Sequence, residues 1–257
     1  MIRSMKVRDL PEISVTKKDR FYSCYGSLTG NQRKWRLGNK FIKLNLLGYE
    51  NISEVLISRF LEYTDIPEES YVKYYSCRIY EDGIYLGVGC YSYDFAENKS
   101  QFTLRSILEN NLMSTTSSYD NVRDLLLDLT GKDFKKYLDT LLCLDAITFN
   151  ADRHFGNIMF LEDKGNWEGI IFDNGDSCLS DLVSYPIGTN IELACNSILA
   201  KPFSEFFMEQ IKYATPILVR YNDFLEDIDI RGSYVQRAFD VLKFGLEKTR
   251  GIAWEEY

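Results

Sequence analysis

The sequence contains no long apolar run, a single histidine and no closely spaced pair of cysteines. No segment approaches the roughly 18 apolar residues of a transmembrane helix, so we expect no membrane span. Because His154 is the only histidine and the six cysteines form no C-x-x-C pair, a zinc site of the common Cys/His type is not expected. Residues 1–11 lack the apolar core of a signal peptide. We therefore expect a soluble, cytoplasmic protein with reduced cysteines.

Positive charge is also scarce, because 38 acidic residues outweigh 30 basic residues and give a formal net charge of −8. A nucleic-acid-binding protein would present a strongly basic surface, so we expect no direct contact with nucleic acid. Proline and glycine number only 5 and 16, which favours helices and strands joined by short loops. The 257 residues are enough for one large domain or for two small lobes.

Short runs rich in aromatic and β-branched residues dominate the N-terminal part and predict strands. The predicted strands are residues 21–25, 34–37, 40–44, 71–80 and 84–91, with a hairpin turn at Asp82-Gly83. One helix is predicted among them, at residues 51–64, because its apolar residues recur with helical spacing.

After residue 100 the apolar spacing is mostly helical. It predicts helices at residues 102–110, 120–129, 133–149, 204–214, 217–225 and 234–248, and a pair of strands at 158–161 and 169–172. The fold class is therefore α+β. We predict an N-terminal lobe of residues 1–94, with a small antiparallel sheet and one helix, and a larger helical C-terminal lobe of residues 95–257. The cleft between two such lobes is a usual position for a ligand.

Asp152 and Asn157 lie on a predicted loop between a long helix and a strand. Phosphoryl transfer requires a carboxylate that accepts the proton of the attacking hydroxyl, and oxygen ligands that hold magnesium against the phosphates. An Asp followed five residues later by an Asn has the spacing of a kinase catalytic loop. Asp173, at the end of the next predicted strand and before Asn174-Gly175, occupies the position of a second magnesium ligand.

Either motif alone would favour a simple polar turn, because Asp, Asn and Gly are common turn formers. The order helix, loop, strand, turn, strand and Asp-Asn-Gly, with this spacing, instead predicts a site for a nucleotide and a metal ion. Asp152, Asn157 and Asp173 are its predicted catalytic residues.

Lys43 is the candidate for the lysine that reaches the nucleotide phosphates. It lies on a predicted strand, and a carboxylate from the next helix would keep its ammonium charged. Glu54 is one candidate partner, and Glu50 is the rival because it lies closer in the sequence. If these were the only signals, an edge-strand lysine and a solvated helix glutamate would be the simpler interpretation.

Gly26, Ser27, Thr29 and Gly30 lie in the connection between the first two predicted strands. Small residues there would let backbone N–H groups approach nucleotide phosphates, although a glycine-containing hairpin is an equally good interpretation. Arg153 and His154 flank the predicted base. We expect both to support the loop structurally rather than to act as the base.

These residues together resemble the HipA-like serine/threonine kinase family, including its short, single-chain members. The resemblance covers most of the chain and is carried by five segments. They are Lys40-Phe41-Ile42-Lys43, residues 51–56, residues 150–157, Phe172-Asp173-Asn174-Gly175 and Lys201-Pro202-Phe203.

The resemblance implies a two-lobed, protein-kinase-like fold and ATP-dependent phosphorylation of protein serine or threonine. It implies Asp152 as the base, Asn157 and Asp173 as Mg²⁺ ligands, and Lys43 as the phosphate contact. Ser27, or Thr29 in its place, would be the site of autophosphorylation. The implied partners are a protein substrate, either the chain itself or a translation factor, and an antitoxin or other regulatory protein.

Two alternatives remain open. Lipid kinases of the phosphatidylinositol type use a similar D-R-H-x-x-N loop, so a lipid or small-molecule kinase is the alternative enzyme. The non-catalytic alternative is a nucleotide-binding pseudokinase that acts as a regulator or as a toxin–antitoxin component.

Overall fold

The computed structural model describes residues 9–21, 32–114, 117–227 and 232–257. The N-terminal half contains a five-stranded sheet of order β1-β4-β5-β3-β2. Its strands are β1 (Glu12–Val15), β2 (Lys34–Leu37), β3 (Lys40–Leu44), β4 (Tyr75–Glu81) and β5 (Ile84–Tyr93), and helix α1 (Glu50–Leu61) follows β3. The predicted helix and four of the predicted strands are confirmed, although the helix predicted at 51–64 ends at Leu61 and the strand predicted at 71–80 begins only at Tyr75. Of the strand predicted at 21–25, only Phe21 lies within the described residues, and it is not in a strand.

The sheet is antiparallel across β2, β3, β5 and β4, whereas the edge strand β1 runs parallel to β4. β1 was not predicted, because a four-residue strand with two buried positions is too short to show a clear period. Asp82 and Gly83 both have positive φ, 50° and 81°, between β4 and β5. This is the backbone that a two-residue hairpin of type I′ requires, so the predicted turn is confirmed.

The C-terminal half is mainly helical. Its helices are α2 (Leu104–Asn110), α3 (Tyr119–Thr130), α4 (Lys135–Thr148), α5 (Ile191–Ser197), α6 (Phe207–Gln210), α7 (Tyr221–Asp227) and α8 (Ser233–Thr249). Within the described ranges, no helix is long and apolar enough to cross a membrane. The five described cysteines are buried and unpaired, in agreement with the expected reduced thiols.

Two small sheets complete this half. Strands β6 (Ser100–Thr103), β7 (Met159–Asp163) and β8 (Asn166–Ile170) form an antiparallel sheet in that order. β7 and β8 are the predicted pair, but β8 ends at Ile170, so only the first two residues of the strand predicted at 169–172 belong to it. Strands β9 (Ile217–Val219) and β10 (Trp254–Glu256) pair in parallel.

Three of the predicted helices need correction. The helix predicted at 102–110 begins only at Leu104, because Phe102 and Thr103 pair with β7 as part of β6. The helix predicted at 217–225 is wrong over its first three residues, because Ile217–Val219 form β9 with the distant C-terminal segment and only α7 follows. The helix predicted at 204–214 shrinks to α6, because the side chain of Gln210 accepts the N–H groups of Phe203 and Ser204 and holds them in a loop.

Helix α4 positions the candidate site. All its residues from Leu138 to Thr148 are buried, and Gly245 of α8 packs so closely that a Cβ there would overlap the carbonyl oxygen of Ile147. The helix ends at Phe149, whose φ of 53° turns the chain into the segment that carries Asp152. Because α4 is buried from Leu138 to its last residue, the loop that follows it begins at a well-fixed position.

Candidate active site

Lys43, Glu54 and Asp173 meet between β3, α1 and the turn after β8. The Nζ atom of Lys43 lies 2.7 Å from Glu54 Oε1 and 2.6 Å from Asp173 Oδ1. Glu54 also accepts the N–H of Asn174 at 2.9 Å through its second oxygen. The lysine and the turn are therefore both anchored to α1.

Glu50, the rival partner for Lys43, is engaged elsewhere. Its carboxylate accepts the backbone N–H groups of Leu46, Leu47 and Gly48 at 3.0, 2.6 and 3.1 Å. These bonds fix the connection before α1, so the structure pairs Lys43 with Glu54.

The three charges control one another's protonation. Burial alone would lower the pKa of Lys43, but the carboxylates of Asp173 and Glu54 raise it well above its usual value. Burial likewise opposes ionisation of Asp173, yet the positive charges of Lys43 and Lys34 hold its pKa below the usual range. For Glu54, burial prevails and raises the pKa, and Lys43 partly offsets it. The lysine is thus charged and Asp173 is ionised at neutral pH.

Asp152 and Asn157 lie on the loop between α4 and β7. Asn157 is buried, and its Nδ2 donates to the carbonyl oxygen of Asp152 at 2.9 Å and lies 3.5 Å from Asp152 Oδ2. The Oδ1 of Asn157 is also buried but has no hydrogen-bond partner. A buried amide oxygen without a donor is costly, so this atom has the character of a ligand oxygen.

Arg153 links this loop to the turn that carries Asp173. Its side chain is 0% exposed and forms an ion pair with Asp145 of α4, which is equally buried, at 2.9 Å. The guanidinium also donates to the carbonyl oxygens of Asn157 and Phe172, both at 2.9 Å, and to Asn174 Oδ1 at 2.7 Å. One side chain thus fixes the loop that carries Asp152 and the turn that carries Asp173 relative to each other.

The Arg153–Asp145 pair keeps its charge because each partner compensates the other. Burial would lower the pKa of Arg153, but Asp145 raises it above its usual value. Burial raises the pKa of Asp145, and Arg153 partly offsets this. Sequence patterns missed Asp145, although an aspartate inside the apolar run of α4 signals a buried partner.

His154 bonds the loop backbone, as expected for structural support. Its Nδ1 accepts the N–H of Gly156 at 3.0 Å, and its Nε2 lies 3.9 Å from Asp152 Oδ2. Burial lowers the pKa of His154, which favours the neutral ring at pH 7. A neutral imidazole at this position places no positive charge beside Asp152.

Asp176 and Lys201 also belong to the site, although sequence patterns gave neither a role. Burial, and then the charge of Asp152, raise the pKa of Asp176 to about 7. The backbone carbonyl of Asp176 accepts the N–H of Ala151 at 3.2 Å. Lys201 Nζ lies 3.8 Å from Asp152 Oδ1. Gly26, Ser27, Thr29 and Gly30, the predicted phosphate-loop residues, lie outside the described residues.

The donor set suits a hard cation. The unpartnered Oδ1 of Asn157 and the ionised carboxylate of Asp173 are the kinds of oxygen that Mg²⁺ takes. Within the described ranges there is no cluster of three or more His, Cys, Asp or Glu residues that could enclose a metal ion.

Comparison with known proteins bears on the fold. No family model matches the chain, and neither does any curated protein. A solved structure of the Helicobacter pylori proinflammatory kinase CtkA is similar with a TM-score of 0.60 and 14% identity over 93% of this chain and 95% of that chain. The fold is therefore kinase-like.

HipA of Shewanella oneidensis MR-1, solved with HipB and its operator DNA, is a second structure with some similarity. It has a TM-score of 0.42 and 14% identity, and the match covers 87% of this chain but only 58% of that chain.

Proposed function

We propose that this protein is an ATP-dependent serine/threonine kinase of HipA-like type. The observation that carries the proposal is the contact of Lys43 with both Glu54 and Asp173, which places a charged lysine beside an ionised carboxylate. Kinase-like sites need this combination of a lysine for phosphates and an acid for metal. The kinase-like fold agrees with it.

Each residue has a separate task in this proposal. Lys43, held by Glu54, binds the nucleotide phosphates, and the sequence pattern alone leads us to assign Gly26, Ser27, Thr29 and Gly30 to nucleotide binding as well. Asn157 and Asp173 hold Mg²⁺, which when bound neutralises charge on the phosphates. Asp152 orients the acceptor hydroxyl and takes its proton, and Arg153 and His154 hold the loop in place.

The placement of Asp152 supports its task as the base. Its side chain is 48% exposed, so an acceptor can reach it, whereas Asn157 and Arg153 beside it are buried. A half-exposed carboxylate at this position can accept a proton from an approaching hydroxyl without disturbing the buried groups. The acceptor would be a serine or threonine hydroxyl of a protein, including Ser27 or Thr29 of the chain itself.

The identity of further partners rests on the resemblance alone. It leads us to propose a translation factor as a second protein substrate and an antitoxin or other regulatory protein as the controlling partner. Direct contact with nucleic acid or with a membrane is not part of the proposal.

A transfer assay tests the proposed function. Purified protein is incubated with Mg²⁺ and γ-labelled ATP in the presence of a serine-rich protein, such as dephosphorylated casein, or of phosphoinositide vesicles. We expect label on casein or on the chain, with mass spectrometry locating the latter at Ser27 or Thr29. Label on the vesicles alone would favour the lipid-kinase alternative. ATP binding without transfer to any acceptor would favour the pseudokinase.

A further inference from the structure

Lys201 places a positive charge beside the proposed base. Its Nζ lies 3.8 Å from Asp152 Oδ1, and the two side chains are 49% and 48% exposed. Both therefore reach the open side of the site, where an acceptor would approach. Lys43, in contrast, is only 13% exposed and lies with Glu54 and Asp173.

The segment that carries Lys201 is fixed by the side chain of Gln210. Gln210 Nε2 donates to the carbonyl oxygen of Lys201 at 3.0 Å. Its Oε1 accepts the N–H groups of Phe203 and Ser204 at 2.8 and 3.2 Å. Three hydrogen bonds from one side-chain amide hold the backbone on both sides of Pro202, so the backbone of Lys201 has a defined position.

Aromatic packing attaches the same segment to the base loop. The ring of Phe203 lies 5.5 Å from the ring of Phe155, which is three residues after Asp152, and 5.5 Å from Tyr119 of α3. An exposed ion pair alone contributes little to stability and would not hold Lys201 near Asp152. The packing of Phe203 on Phe155 does so independently of the charges.

Lys201 faces more negative charge than Asp152 alone provides. It acts on Asp176, whose pKa it lowers against the larger opposing effects of burial and of Asp152. Transfer of a phosphoryl group brings further negative charge next to these carboxylates, and a preorganised cation at that place would stabilise the transition state.

From this geometry we infer that Lys201 is a further catalytic residue, which contacts the transferring phosphoryl group from the acceptor side. The inference rests on the proposed kinase function. The acceptor hydroxyl oxygen bonds to the γ-phosphorus, and the bond from that phosphorus to the bridging oxygen breaks, leaving its electron pair on ADP. The hydroxyl proton passes to Asp152, and the ammonium of Lys201 stays charged throughout.

Steady-state kinetics with casein as acceptor test the inference, using Lys201→Met, Lys201→Arg and the matched control Lys212→Met on an exposed lysine of the same region. We expect Lys201→Met to lower kcat by about 10²-fold, as losing one charge-stabilising group does. KM for ATP, Mg-ATP affinity by calorimetry and Tm should stay near wild-type values. The arginine variant should recover most of the turnover, and Lys212→Met should behave as wild type.

Three results would overturn the inference. A Lys201→Met protein that turns over like Lys212→Met would show that Lys201 is only a surface charge. A loss of Mg-ATP affinity as large as the loss of kcat would show that Lys201 contacts the nucleotide rather than the acceptor side of the phosphoryl group. A wild-type protein that transfers phosphate to no acceptor would remove the proposed function itself, a result distinct from an active wild type with an active Lys201→Met.

Discussion

Lys43 and Asp173 are 130 residues apart in the sequence, yet the lysine Nζ lies 2.6 Å from Asp173 Oδ1. The ammonium of Lys43 therefore donates a hydrogen bond to the carboxylate that we propose as a Mg²⁺ ligand. Under the proposed function, a metal ion and Lys43 would compete for this carboxylate until nucleotide phosphates offer the lysine another partner. Binding of Mg²⁺ and of nucleotide should consequently be linked.

Replacing Lys43 should therefore separate metal binding from nucleotide binding. Without nucleotide, Lys43→Met is expected to bind Mg²⁺ about tenfold more tightly than wild type, a factor typical of coupled sites. It should bind ATP more weakly, because a phosphate contact is lost. Calorimetric titration with each ligand measures both effects. Lys40→Met on the same strand is the control, and an unchanged Mg²⁺ affinity in Lys43→Met would contradict the competition.

Asp173 and Asp152 should differ in their effect on nucleotide binding. Asp173→Asn is expected to weaken Mg-ATP binding by about tenfold or more, equivalent to at least ~1.4 kcal/mol, because an ionised metal ligand is lost. Asp152→Asn should leave the affinity nearly unchanged, since Asp152 is assigned to the acceptor. Calorimetric titration measures the Mg-ATP affinity of both variants. Equal losses of affinity in the two variants would refute this division of roles.

The buried ion pair of Arg153 and Asp145 should contribute strongly to the free energy of unfolding of the protein. Arg153→Met leaves Asp145 buried without a counter-charge, and breaking such a pair costs about 3–5 kcal/mol. Denaturant unfolding measures the loss. The exposed pair of Arg123 and Asp133 provides the control, because Arg123→Met should change stability little.

The double variant Arg153→Met with Asp145→Leu removes both buried charges and should regain part of the lost stability. A loss in Arg153→Met no larger than in Arg123→Met would show that the pair does not hold the site together.

Asp176 should make stability depend on pH. Its pKa of about 7 in the folded protein lies above the usual value of 3.8, so between these values the folded form holds a proton that the unfolded form has lost. Wild-type stability contributed by this group therefore falls as the pH rises from about 4 to 7. The side chain of Asp176→Asn does not titrate. The Tm of this variant minus the Tm of wild type should therefore be larger at pH 8 than at pH 5. Equal differences at both pH values would contradict this, and exposed Asp163→Asn is the control.

The parts of the site that sequence patterns predicted are those encoded locally. Lys43 and Glu54 follow from a strand and the next helix, and Asp152, Asn157 and Asp173 from spacing along a loop and a hairpin. Their assigned roles remain predictions, as does the division of the chain at residues 94 and 95.

The features that escaped prediction depend on distant contacts. Asp145 cannot be distinguished from any other helical aspartate until its ion pair with Arg153 is known. Lys201 lies near Asp152 because of distant contacts, including the packing of Phe203 on Phe155. Strands β1, β9 and β10 have only three or four residues each and pair with segments far away in the sequence, so the local pattern carries too little information.

The central claim is that Asp152 accepts the proton of an acceptor hydroxyl while the other residues hold Mg-ATP. The most direct measurement is the single-turnover rate of phosphate transfer from bound ATP by Asp152→Asn, with Mg-ATP affinity determined on the same samples. We predict a rate about 10²–10⁴-fold below wild type at nearly unchanged affinity, and wild-type behaviour for Asp163→Asn. An Asp152→Asn protein that transfers phosphate as fast as wild type would contradict the claim.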